Sequence, residues 1–158
     1  MTPSITNACS LWQGCYNPSV EAKERRLQTW MKVWAPIFAA GGLGFYAIPG
    51  VITASMNQGA RTVGLEESPV DADNLWIVLA AAYMALITAI SADAAMTTDP
   101  ARRHSLARYL LVGKVSSSLG ALGYFAFRRR AYAFLANFLL DGGIAVVTYA
   151  LLRDAEAG

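Results

Sequence analysis

Four long apolar blocks, at residues 30–53, 75–96, 106–127 and 131–152, leave this chain few ways to fold. Each is close to the ~20 residues a helix needs to cross the hydrocarbon core of a bilayer, where every backbone polar group must be satisfied within the segment. Hydrophobic residues make up 55% of the chain and charged ones 15%, against roughly 45–50% and about 25% in soluble domains, so the excess apolar surface has to face lipid. The expected fold is an all-α integral membrane protein, with four transmembrane helices in an up-down bundle over residues 30–152. A polar N-terminal tail (1–29) precedes the bundle, and a short polar C-terminal tail (153–158) follows it.

The tail contains Pro3, Pro18 and a mixed-charge run at 21–26, where Ser19 is placed to cap a short surface helix. Without a basic n-region and a small-residue cleavage site, the first span is expected to act as an internal insertion signal. Trp30, Lys32 and Trp34 open that span as an interfacial belt, and Pro36, Gly41, Gly42, Gly44 and Pro49 inside it predict close packing and a bend. Residues 54–74 read as an acidic loop on the far side of the membrane from the tail. Trp76 marks the outer edge of the second span, and Asp93, near the inner end, is expected to face headgroups or an arginine of the next loop. Asp99-Pro100 is a helix start, an aspartate N-cap followed by proline at N1.

Lysine and arginine are unevenly divided. Lys23, Arg25, Arg26, Lys32, Arg102, Arg103, Arg108 and Arg153 make eight on one side, against four, Arg61 and Arg128 to Arg130, on the other. The positive-inside rule then predicts both termini in the cytoplasm, with a bacterial inner (cytoplasmic) membrane as the expected location. Arg102, Arg103, Arg128, Arg129 and Arg130 are candidate headgroup or docking contacts, the last three by snorkelling at two helix ends or by meeting an acidic partner.

Inside the membrane the sequence places Lys114 in the third block and Asp141 in the fourth. A charge at this depth costs about 3 kcal/mol on insertion scales, so two opposite ones on adjacent helices invite pairing. Ser117 and Ser118 share a face with Lys114, while Asn137, Asp141 and Thr148 recur at spacings of four and seven. These six residues form the expected polar seam. A hairpin hinged on Arg129 leaves Lys114 and Asp141 offset by about 4.5 Å along the axis. Helical side chains also lean toward their own N-terminus, so the lysine must bend to reach the aspartate. The competing arrangement is a protonated Asp141 bonded to Ser117 or Ser118. Gly113, Ser116, Ser117, Gly120 and Gly123 offer a small-residue contact surface, and Gly142-Gly143 admits another backbone.

Several function classes are excluded. A net charge of +2, with the basic residues lying beside apolar blocks, argues against nucleic acid. His104 is the only histidine, so bis-histidine haem ligation within this chain is excluded. No H-E-x-x-H, G-x-S-x-G or phosphate-binding loop is present, no enzyme is expected, and no cofactor can be assigned. Cys9 and Cys15 fit two reduced thiols in a cytoplasmic tail. The expected partners are the lipid bilayer and other membrane-protein subunits. The expected role is an accessory or assembly subunit of a larger membrane complex, bioenergetic complexes among the candidates. The alternative is a small oligomeric transporter or binder of an ion, a proton or a lipophilic molecule, working through Lys114 and Asp141. A four-helix monomer without an inverted repeat offers little room for a pathway, so that role needs an oligomer.

Overall fold

The computed structural model describes the backbone of residues 18–68 and 74–157, and the side chains of 18–68 and 77–157. The tail with Cys9 and Cys15, the acidic Asp71 and Asp73, and the side chain of Trp76 lie outside the described residues. Among the described residues five helices follow one another: α1 (Pro18–Ala47), α2 (Pro49–Val63), α3 (Asn74–Met96), α4 (Pro100–Phe127) and α5 (Tyr132–Glu156).

Three of these, α3 over Ile77–Met96, α4 and α5, are long and apolar enough to cross a membrane. The first block, expected over residues 30–53 with a bend, falls on two helices: α1 and α2 meet the same standard only together, as one span bent by 104°. Pro49 is the cause. Its ring pushes the preceding residue out of the α region, and Ile48 accordingly sits at φ −137°, ψ 49° before proline restarts the helix at N1. Beyond the bend, the stretch expected as loop stays helical to Val63, where Gly64 closes the helix in the left-handed region at φ 68° and donates its N–H to the Ala60 carbonyl. Gly59 is the close-approach position on α2, since a Cβ there would lie 2.7 Å from Cε1 of Tyr132 on α5.

The tail is corrected as well. In place of a separate surface helix capped by Ser19, α1 begins at Pro18 and runs through residues 18–29 to Ala47 without interruption. Two interactions make this stretch helical. Glu21 and Arg25 pair one turn apart at 2.6 Å, and Leu27, Met31 and Phe38 form a buried stripe continued by the partly buried Trp34. At 30 residues α1 is ~45 Å long.

Asp99 caps α4 as expected, accepting from the Ala101 N–H at 3.0 Å with Pro100 next in line. Around the bundle, α1 packs on α3, α3 on α4, α4 on α5, and α5 returns to α1. Cross-helix bonds show neighbours running antiparallel: Gln28 to the Ala95 carbonyl (2.8 Å) and Trp30 to Thr148 (2.9 Å), for example. Leu27, Met31, Phe38, Ile87, Leu110, Ile144 and Leu152 fill the centre. Val78, Leu86, Val112, Leu119, Leu139 and Val146 project outward, as lipid-facing positions do.

At the far end from the α1 N-terminus, called here the turn end, Glu66 lies beside Ala131 as an isolated parallel bridge. The Glu66 N–H donates to the Arg130 carbonyl and the Tyr132 N–H to the Glu66 carbonyl, both at 3.2 Å. Asn57 of α2 closes the same loop, donating to the Ser68 carbonyl at 2.9 Å and accepting from its N–H at 2.7 Å.

Candidate functional site

Near the midpoints of α4 and α5, Lys114 Nζ donates to Asp141 Oδ1 at 2.7 Å. The two side chains are only 4% and 9% exposed. The ammonium also lies 4.5 Å from the centroid of the Phe38 ring and 5.4 Å from that of Tyr83. One cation therefore touches α1, α3, α4 and α5. Its charge is met by a carboxylate on one side and by the negative faces of two aromatic rings on the others, an arrangement worth about 2 kcal/mol per ring when water is excluded.

The axial offset expected between Lys114 and Asp141 is absent. Ser117 accepts from Asn137 Nδ2 at 3.1 Å, and Ser118 donates to the Phe138 carbonyl at 3.0 Å. With the lysine bond, these pairs place the axis of the hairpin nearer α4 than Arg129. The displacement coincides with the connection: α4 ends at Phe127, Arg128 leaves the helical region at φ −122°, ψ −61°, and Ala131 is extended (φ −79°, ψ 138°) where Glu66 bridges it. Neither serine bonds Asp141, so the serine-bonded alternative gives way to the ion pair.

Thr148 belongs to the seam by another route. It is fully buried and accepts from Trp30 Nε1 at 2.9 Å. Trp30 meets Trp34 edge-on at 5.4 Å between centroids, and Trp34 stacks on Phe38 at 5.2 Å. Three aromatic rings spaced four residues apart on α1 thus lead from Thr148 to the lysine. On the facing side, Gly142 leaves room for Ser118, whose Oγ would lie 3.0 Å from a Cβ there, and a Cβ at Gly113 would lie 3.4 Å from the Tyr83 hydroxyl. Gly120 and Gly123 face open space, so the small-residue surface divides: one part is used inside the bundle and the other points outward.

Among the described residues three buried polar atoms have no hydrogen-bond partner: Trp34 Nε1, the Tyr83 hydroxyl and Ser91 Oγ. All three stand on α1 or α3, whereas the satisfied seam runs between α4 and α5. Among the described residues no group of three or more His, Cys, Asp or Glu side chains could hold a metal ion.

The predicted surface arginines separate into three kinds. Arg103 is corrected from headgroup contact to interior residue. It donates to Glu24 at 2.8 Å, to the Thr97 carbonyl at 2.6 Å and to the Ala94 carbonyl at 3.3 Å, because α1 extends far enough to cover it. Glu24 bonds His104 with its other oxygen, so one carboxylate joins α1 to the start of α4. Arg102 stays exposed and pairs with Asp93 at 2.7 Å. At the turn end, Arg129 pairs with Glu66 at 2.8 Å and donates to the Glu67 carbonyl at 2.7 Å, while Arg128 and Arg130 are exposed without an ion pair among the described residues.

Phe38, Tyr83, Glu24 and His104 were not anticipated. One signal was available for two of them: positions 24, 27, 31, 34 and 38 alternate steps of three and four, which puts Glu24 and Phe38 on a single helix face with the buried stripe. No protein-family model, curated protein or solved structure matches the chain.

Proposed function

We propose that this chain is an accessory or assembly subunit of a larger membrane protein complex, with its internal charges serving as the clamp of the bundle. The observation that carries this is the closure of the Lys114–Asp141 pair: both groups are buried, bonded to each other, and covered by side chains of the two remaining bundle helices. A neutralised pair of this kind fixes register and relative rotation among the helices. The functional surface is then the outside of the bundle, where Gly120 and Gly123 permit close approach by another helix. In this proposal the membrane is a bacterial inner membrane and both termini are cytoplasmic, supported by the eight-to-four division of basic residues.

The test is purification of the tagged chain from its own membrane in a mild detergent. Stoichiometric membrane-protein partners are expected. A lone, stable chain that moves ions across liposomes would overturn the proposal.

A second role, transport or binding of a proton, an ion or a small molecule, draws support from the unpartnered Trp34 Nε1, Tyr83 hydroxyl and Ser91 Oγ, since orphaned buried donors call for a partner. Reconstituted wild-type chain and Asp141→Asn distinguish the two: flux that depends on Asp141 supports transport, and its absence in both supports the clamp.

A further inference from the structure

The end of the bundle that carries the α1 N-terminus has a second feature, separate from the ion pair and independent of whether the chain assembles or transports. An open groove of about 580 Å³ runs between α1 and α5, lined by Glu21, Arg25, Arg26, Thr29, Trp30, Val33 and Leu151 among others. Its chemistry changes along α1. Pro18, the Glu21 carboxylate and Ala22 lie at the outer end, two guanidinium groups come next, threonine and the tryptophan ring follow, and valine and leucine form the inner wall. That order, cation then aromatic then aliphatic, matches the profile of a bilayer leaflet from headgroup to acyl chain.

Two details make this more than a surface crease. Trp30 is held by its bond to Thr148, which fixes the indole ring that forms part of the wall. Arg25 shares its charge with Glu21 at 2.6 Å, but Arg26 is exposed and has no ion pair among the described residues. The first seventeen residues contain no aspartate or glutamate, so that segment has no side-chain carboxylate to offer Arg26. With Glu21 set against Arg25, the groove keeps one positive charge in excess, that of Arg26, above an apolar wall. A soluble anion would satisfy the charge and leave the wall wet; an uncharged peptide segment would cover the wall and leave the charge. A volume of about 580 Å³ lies within the usual size of a small-molecule site.

We propose that this groove binds one phospholipid with a net-negative headgroup, the phosphate meeting Arg26 and Arg25 and an acyl chain lying along Trp30, Val33 and Leu151. The site orders a lipid at the seam between the first and last helices of the bundle.

The experiment is native mass spectrometry of the full-length chain equilibrated with equal phosphatidylglycerol and phosphatidylcholine in detergent. One phosphatidylglycerol is expected to be retained preferentially. Its retention should fall about fivefold in Arg26→Gln, at unchanged thermal stability, and further in the Arg25→Gln/Arg26→Gln double variant. Equal retention of the two lipids, or unaltered preference in the double variant, overturns the proposal. A photo-crosslinking residue at Thr29 gives an independent readout. A lipid adduct supports the site, whereas an adduct to residues 1–17 or to another protein assigns the groove to a different occupant and overturns it.

Discussion

Lys114–Asp141 and Arg129–Glu66 have nearly the same length, 2.7 and 2.8 Å, in opposite surroundings. The side chains of the first pair are 4% and 9% exposed, those of the second 43% and 55%. In water the Arg129 pair competes with solvent and salt, and such pairs contribute between nothing and about 1 kcal/mol. The Lys114 pair has no such competitor, but both of its charges have been taken out of water, and that cost offsets most of their attraction. Similar geometry therefore serves different purposes. The exposed pair helps to guide a loop onto a turn that backbone bonds already hold, and the buried pair makes the four-helix arrangement intolerant of any other register.

Substitutions can break this comparison or sharpen it. The largest effect is expected from removing one buried partner: Lys114→Ala or Asp141→Ala should each cost about 3–5 kcal/mol in reversible unfolding, because an uncompensated charge is left inside. Glu24→Ala tests an intermediate case. Its side chain is 14% exposed and that of its partner Arg103 is 7% exposed. A loss of about 2–3 kcal/mol is expected, with the α1 N-terminal turns becoming accessible to protease while the membrane part stays folded. Phe38→Leu keeps the apolar volume roughly constant and removes the ring face under the ammonium. Calorimetry should register about 1–2 kcal/mol, and a change indistinguishable from zero would show that the ring is only packing. Arg129→Ala should cost less than about 1 kcal/mol, and high salt should abolish the difference from wild type.

These expectations rest on contacts of unequal legibility. The ends of α3, the start of α4 and the buried pair itself could be read from hydropathy, the Asp99-Pro100 cap and two isolated charges, because each depends on neighbours within a few residues or on the absence of water. The α1–α2 geometry was harder. Pro49 announced a bend, but whether the chain continued as a helix or opened into a loop was decided by Asn57 reaching Ser68 and Gly59 fitting against Tyr132. Arg103 was misassigned for a related reason: a positive loop looks alike whether it faces headgroups or is covered, and only the length of α1 buries it. The Phe38 and Tyr83 faces of the lysine site depend on the rotation of α1 and α3 about their axes, which helix periodicity constrains and only packing decides.

The central claim is that Lys114 and Asp141 act as one closed unit in the interior of the bundle. A double-mutant cycle with Lys114→Met and Asp141→Leu, measured by unfolding of the purified chain in a common detergent, addresses it directly. The account predicts that each single change is severe and that the double variant recovers most of the loss, since apolar side chains of similar size replace both charges. Additive losses across the cycle would contradict it.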